Sequence, residues 1–275
     1  MLVLLHTAIL DENFKRWVKI HFLGKTRIWL THCNHFFDCQ DTIILPMNLS
    51  MEEFLPYYGR RKGRRLSKAS KRLLEKNLPA YLLSHKFSHP TCLFTHHPEK
   101  IFLEIGFGGG EHLAMEAKDH PENGYIGAEP FLNGVISLLR YCKNNEIKNI
   151  RIWPDDIRLQ VSSWPNNCLD GVFIMFPDPW PKNKHASRRI INKDNLIELS
   201  RLMKIGGELR MATDHSCAKN WILAGMLENS NFEWSVNHPK DWNIKPKTWP
   251  ESRYMRKAIM EGRKPAWFNF KRVTN

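Results

Sequence analysis

Long apolar runs are missing from this chain of 275 residues. A membrane-spanning helix needs about 18 consecutive apolar residues, whereas the opening MLVLLHTAIL stops at Asp11 and Glu12. That stretch also lacks the basic flank of a secretory signal. The sequence therefore predicts no membrane association and a cytoplasmic location. Closely paired cysteines are absent as well. Cys33, Cys39, Cys92, Cys142, Cys168 and Cys217 include no C-x-x-C, which speaks against a disulfide framework and a zinc ribbon. His32, Cys33, His35 and Cys39 lie close together but without finger spacing or a second ligand pair, so no metal is expected. Apolar residues as a class are not scarce. With 42% hydrophobic and 25% charged residues, the chain is unlike disordered, collagenous or coiled-coil sequences. Its length fits one large domain, or one domain with an added segment.

Acid is in deficit, and unevenly so. The formal net charge is +13. Residues 47–100 hold 11 Lys/Arg against 4 Asp/Glu, and residues 177–275 hold 19 against 10, whereas residues 101–176 hold 6 against 10. Two basic flanks around an acidic centre point to a polyanionic partner. Nucleic acid fits better than a membrane surface, because no amphipathic basic helix with a long apolar face accompanies the charge.

Residues 1–46 show neither a helical nor a strand period and receive no structural assignment. Met47 and Met51 precede the patterned part, so the segment reads equally as a variable extension or upstream of a later start, or as a small subdomain, with the main domain at 47–275. A basic arm follows at about 57–78. Between Arg60 and Lys76, nine basic residues stand against Glu75 alone. GRRKGRRLS reads as an extended arm, and Lys68 to Leu78 as a helix stopped by Pro79. Arg60, Arg61, Arg64 and Arg65 are candidate phosphate contacts, since clustered cations gain from counterion release on a polyanion.

From Ile101 onward short apolar runs alternate with helical patterns. Strands are predicted at 101–105, 125–128, 150–153, 171–176 and 207–212, and helices at 111–118, 132–141 and 193–202. This order predicts an α/β fold, a doubly wound, mostly parallel sheet of Rossmann-like type. Ligands in such sheets sit at the carboxyl ends of the strands.

The distinctive residues fall at those ends. Glu104, Gly106, Gly108 and Gly110 form E-x-G-x-G-x-G across the first strand-to-helix turn, where glycines permit tight turning and close ligand approach. An acid inside the strand is awkward for a pyrophosphate but suits the cation of S-adenosylmethionine. Glu129 ends the second strand, a position from which a carboxylate can accept both ribose hydroxyls. Asp155 and Asp156 follow the third strand and compete for the adenine amino group, Asp155 being preferred. FPDPWPK (176–182) follows the fourth. Its three prolines stiffen a loop around Asp178 and Trp180, a design suited to holding a flat nucleobase by hydrogen bonding and stacking.

Over about Leu55 to Arg272 the chain resembles the bacterial tRNA (guanine-N7-)-methyltransferases. The likeness runs through GRRKGRRLS, FLEIGFGGGEHL, YIGAEP, FPDPWPKNKHASRRI, MATDH and SRYMRKAIMEGRKPAWF. It implies a class I S-adenosylmethionine-dependent methyltransferase fold, cytoplasmic location and action on a guanine in the tRNA variable loop, with tRNA as partner; no obligatory protein partner is evident in the sequence. It further implies cofactor contacts at Glu104, Gly106, Gly108, Glu129, Asp155 and Asp178, with Asp178 also catalytic, and substrate contacts at Lys182 and Asp214. Arg188 and Arg189 join the arm as phosphate contacts. The family's T-x-[FY]-E motif aligns with Ser252-Arg253-Tyr254-Met255, so its acid is lost to Met255; Glu251, or the Thr248 to Glu251 segment, is the candidate substitute, and Ser252, Arg253 and Glu251 are the expected substrate contacts in that part of the pocket.

The chemistry has its own logic. Guanine N7 carries a lone pair and no proton, so methyl transfer calls for in-line alignment rather than a base. A fixed carboxylate such as Asp178 can stabilise the positive charge that passes to the purine while accepting from its Watson–Crick edge. Two other readings compete. One is an exocyclic-amine nucleic-acid methyltransferase, whose [DN]-P-P-[YFW] loop DPW only partly matches; the other is an inactive RNA-binding protein on a methyltransferase fold, against which the intact Glu104, glycines and Glu129 speak.

Overall fold

A computed structural model describes residues 57–274 apart from Lys62, Arg64, His85, Lys86, Asn237 and Pro239, together with the backbone of four strands before residue 45. The chain divides into two units, Met1–Phe54 and Leu55–Asn275. In the first, β1 (Ala8–Leu10), β2 (Trp17–Phe22), β3 (Ile28–His35) and β4 (Asp38–Ile44) form an antiparallel meander in sequence order. The sequence assigned nothing here, because these strands lack sustained alternation. The side chains of His32, Cys33, His35 and Cys39 lie outside the described residues.

The second unit opens with α1 (Lys68–Tyr81), whose cap is Ser67: its Oγ accepts from the Ser70 amide at 3.1 Å. Pro79 was expected to stop this helix but lies inside its last turn. A proline removes its own N–H bond to the preceding turn, and with two residues left to run the helix bears that loss. Next come β5 (Ile101–Ile105), α2 (Glu111–Asp119), β6 (Gly124–Ala128), α3 (Leu132–Asn144), β7 (Ile150–Trp153), α4 (Arg158–Val161) and β8 (Leu169–Met175). The chain continues through α5 (Lys193–Leu202), β9 (Met203–Thr213), α6 (Ser216–Leu227), β10 (Phe232–Trp234), α7 (Arg253–Met260) and β11 (Ala266–Arg272).

Seven strands form one sheet in the order β10-β11-β9-β8-β5-β6-β7. The five from β5 to β9 are parallel, while β11 runs antiparallel to β9 and β10 to β11. The predicted doubly wound, mostly parallel sheet is therefore present, extended by an antiparallel edge that the sequence did not show. The parallel strands read as apolar runs because both faces are covered, and every residue of β6 is buried. Across β6, β5 and β8 the rings of Tyr125, Phe102 and Phe173 stack at 5.4 Å between neighbouring centroids. Each such pair contributes about 0.5–1.5 kcal/mol beyond its buried area.

β5 lies beside β6 on one side and β8 on the other. Winding reverses at this point, and the reversal opens a crevice at the strands' carboxyl ends. The Gly106 turn and the Asp178 loop leave the sheet there.

Candidate active site

A cavity of about 570 Å³ occupies that crevice. Gly106 (φ +71°) and Gly108 (φ +55°) border it in the left-handed region that only glycine enters cheaply. A Cβ built on either would meet nothing within 4 Å, so the backbone is bared to the cavity. Behind this turn sits buried Glu129. Its Oε2 accepts from the Gly108 amide at 2.7 Å and its Oε1 from the Phe131 amide at 2.8 Å. Burial pushes the Glu129 carboxyl above its ordinary value against the pull of those two amides. Both its oxygens keep further lone pairs for a ligand's hydroxyls.

The two neighbouring acids after β7 are separated by their partners. Asp156 is 8% exposed at the side chain and is gripped by the Arg158 guanidinium, with Nη2 at 2.6 Å. Asp155, at 33%, accepts from Arg61 Nη1 at 2.6 Å. Both border the cavity, but only Asp155 keeps a substantially open carboxylate.

Glu104 is buried and borders the cavity. Its Oε2 meets His112 Nδ1 at 2.7 Å. The other ring nitrogen of His112 has no hydrogen bond and faces Glu116 Oε1 at 3.9 Å. Arg210 pairs with Glu116 at 3.2 Å and stands over the Phe173 ring. Burial alone would lower the His112 pKa, yet the charge and hydrogen bond of Glu104 and the charge of Glu116 together raise it. Stability contributed by a raised histidine is complete below its ordinary value of 6.5 and is lost as pH rises through the folded value. Unfolding free energy should therefore decline from pH 6.5 into the alkaline range, and His112→Gln should flatten that part of the profile. Urea titrations between pH 6 and 9 check this; a variant profile parallel to that of the wild type would remove His112 as the cause.

Beyond β8 the chain makes a strained exit. Phe176 (φ +53°) and Trp180 (φ +37°) are left-handed non-glycine residues bracketing Asp178, each costing about 1–3 kcal/mol. The surroundings hold them in place. The Phe176 amide donates to the Ala212 carbonyl at 2.8 Å, and its ring packs on Trp267 and on the cluster of Ala212, Trp249 and Met255. The Trp180 carbonyl accepts from Arg189 Nε and Nη2, both at 3.2 Å. Arg188 lies over the rings of Tyr58 and Trp180, at 4.2 and 5.1 Å. Asp178 borders the cavity and makes no ion pair or hydrogen bond among the described residues.

Of the residues singled out in the sequence, Glu104, Gly106, Gly108, Glu129, Asp155, Asp178, Ser252, Arg60, Arg188 and Arg189 meet at this cavity. Lys182, Asp214, Glu251, Arg61, Arg65 and Arg253 do not line it. Lys182 and Glu251 are exposed, Asp214 pairs with Arg263 at 2.8 Å, and Arg64 lies outside the described residues. Ser252 caps α7, its Oγ accepting from the Met255 amide at 3.2 Å. Met255 is buried in the apolar cluster under Phe176, so an apolar side chain fills the position of the family's acid.

Four participants escaped the sequence reading. Tyr57 borders the cavity, and burial, followed by the charges of Glu129, Asp178 and Asp156, pushes its hydroxyl up to about 12, so it stays a donor. Tyr254 borders the cavity too and packs against Phe176 at 5.7 Å. Glu111 and His112 follow the glycine turn directly, a proximity that was the available signal.

A family model described as "Putative methyltransferase" matches residues 98–266. A tRNA (guanine-N(7)-)-methyltransferase of Rhodospirillum rubrum is 42% identical over 222 residues, covering 78% of this chain and 87% of that protein. One from Zymomonas mobilis subsp. mobilis is 40% identical over 217 residues, covering 78% and 94%. Among solved structures, "Structure of an Antibiotic Related Methyltransferase" aligns with a TM-score of 0.46 at 17% identity, over 64% of this chain and 89% of that one.

Proposed function

This chain belongs to the tRNA (guanine-N7-)-methyltransferase family, and from that premise we propose that it moves a methyl group from S-adenosylmethionine to N7 of a guanine in the tRNA variable loop. The observation that carries the reading is the meeting of a bared glycine turn and a strained, acid-bearing loop in one cavity. The donor set fits the cosubstrate. Glu129 would take the ribose hydroxyls, Asp155 the adenine amino group, and Gly106 and Gly108 the close backbone approach, with Glu104 beside them. When bound, S-adenosylmethionine supplies an electrophilic methyl group on a sulfonium. The chain's own task is then alignment. N7 needs no deprotonation, so Asp178 serves by orienting the base and by meeting the positive charge that develops on the purine.

Cationic side chains divide into two roles in this reading. Arg189 holds the Trp180 carbonyl and Arg188 ties Tyr58 to Trp180, so both shape the loop. The exposed Arg60 and Arg65, with Lys182, remain for tRNA phosphates. The cytoplasm, where tRNA is processed, is the matching compartment, and among the described residues no helix is long and apolar enough to cross a membrane. The double variant Arg60→Ala/Arg65→Ala should weaken tRNA binding and reduce the slope of log affinity against log salt by about 1.5. Filter binding from 50 to 300 mM salt measures it, and an unchanged slope would take the arm out of the interface.

The direct test incubates protein, labelled S-adenosylmethionine and unmodified tRNA, followed by strand cleavage selective for N7-methylguanine. Cleavage confined to the variable loop is the expected result. Label incorporated without such cleavage would move the reaction to another atom, and no incorporation would defeat the proposal.

A further inference from the structure

Six carboxylates border the cavity: Glu104, Glu111, Glu129, Asp155, Asp156 and Asp178. Four already have strong partners, namely His112, two backbone amides, Arg61 and Arg158. Asp178 has none among the described residues. Glu111 has one long contact, Arg253 Nε to its Oε1 at 3.4 Å. That contact is lopsided, because the Arg253 side chain is 75% exposed while Glu111 is only 12% exposed. A carboxylate so enclosed and so weakly paired needs another donor.

Its position says which ligand supplies one. Glu111 opens α2, but Arg253 joins it to the start of α7, where Ser252 and Tyr254 border the same cavity. Tyr254 in turn packs on Phe176, the first residue of the Asp178 loop. Glu111 thus shares a wall with the loop that faces the base. A guanine presents two donors on its Watson–Crick edge, N1–H and the 2-amino group, while N7 lies on the opposite side of the purine.

We propose that Glu111 is a specificity residue that accepts from the Watson–Crick edge of the target guanine, alongside Asp178. This rests on the guanine-N7 reading above and extends it by naming the residue that excludes purines lacking the 2-amino group. Arg253 holds the carboxylate in place between turnovers through Oε1, while Oε2 lies over Gly109 and makes no hydrogen bond among the described residues.

The test uses the full chain and two tRNA transcripts, one with guanosine and one with inosine at the methylated position. Inosine keeps N7 and N1–H but lacks the 2-amino group. For the wild type, kcat/KM should fall roughly 10- to 100-fold on inosine, since a site built to accept from a missing donor loses that bond. Glu111→Gln should lower kcat/KM on guanosine by a similar factor, erase most of the difference between the transcripts, and leave S-adenosylmethionine affinity within about two-fold, the margin that distinguishes a substrate-side loss from a cofactor-side one. Arg253→Met should keep the preference for guanosine.

Three results would overturn the assignment. Unchanged selectivity in Glu111→Gln removes it from the base; lost cosubstrate affinity moves it to the donor side; and equal collapse of selectivity in Arg253→Met makes the pair a tether for α7. Thermal melting of Glu111→Gln, expected to match the wild type, guards against misfolding. If the wild type methylates neither transcript, the underlying reading fails instead, so the two failures are distinct.

Discussion

Replacing Asp178 by asparagine should slow methyl transfer by about 10²–10³-fold, the range lost when one preorganised charge-stabilising group is removed, while tRNA affinity changes by no more than a few-fold. The expectation comes from how the loop is built. Phe176 and Trp180 hold left-handed backbone on either side of the acid, and proline occupies 177, 179 and 181. Arg189 fixes the Trp180 carbonyl, and the Ala212 carbonyl fixes the Phe176 amide. A loop so constrained does not collapse when one terminal oxygen becomes an amide. The substitution therefore removes charge from a preserved geometry. Single-turnover rates with saturating S-adenosylmethionine, set beside tRNA binding at the same salt concentration, measure the two quantities separately. Loss of binding equal to loss of rate would make Asp178 a docking residue and leave the charge-stabilising role without a holder.

The strands that position this site were legible because each is a short apolar run closed by glycine, proline or acid. β5 and β7, and the helix α5, begin and end where the sequence placed them. The edge strands were not. β10 is three residues long and β11 is AWFNFKR; β11 becomes a strand by antiparallel pairing with β9, and β10 by pairing with β11, long-range events with no local mark. The different surroundings of Asp155 and Asp156 had no local mark for a related reason. Arg158 stands two residues from Asp156, but the partner of Asp155 is Arg61, 94 residues away. His112 shows the same limit from within a helix. Nothing in EHLAMEAK distinguishes a surface histidine from one sealed between Glu104 and Glu116. That Met255 joins the cluster of Trp249, Trp267 and Ala212 is likewise a long-range fact with no local mark.

One contact that no motif announced governs the Gly108 turn. Gly134 lies in α3 with ordinary helical backbone, so alanine there would by propensity alone favour the helix by about 1 kcal/mol. The surroundings reverse that sign. A Cβ on Gly134 would stand 2.1 Å from the Gly108 carbonyl oxygen and 3.2 Å from Glu129 Cγ. The first neighbour is backbone, so the Gly108 turn itself must move. Displacing Gly108 breaks its 2.7 Å bond to Glu129, and with it the relation between the bared glycines and the carboxylate proposed to take the ribose hydroxyls. Gly134→Ala should therefore destabilise the fold by about 1–3 kcal/mol, as overpacking of a filled core does. Affinity for S-adenosylmethionine should fall further, by roughly 100-fold, because a displacement near 1 Å at a preorganised site has that scale of effect. Gly225, in α6, provides the control. Its Cβ would have only Leu196 Cδ1 at 3.9 Å within reach, so Gly225→Ala should raise the melting temperature and leave cosubstrate binding unchanged. Calorimetric titration with S-adenosylmethionine and thermal unfolding of both variants decide the matter. Wild-type affinity in Gly134→Ala would mean that the turn is positioned by Glu129 alone and that α3 can yield to it.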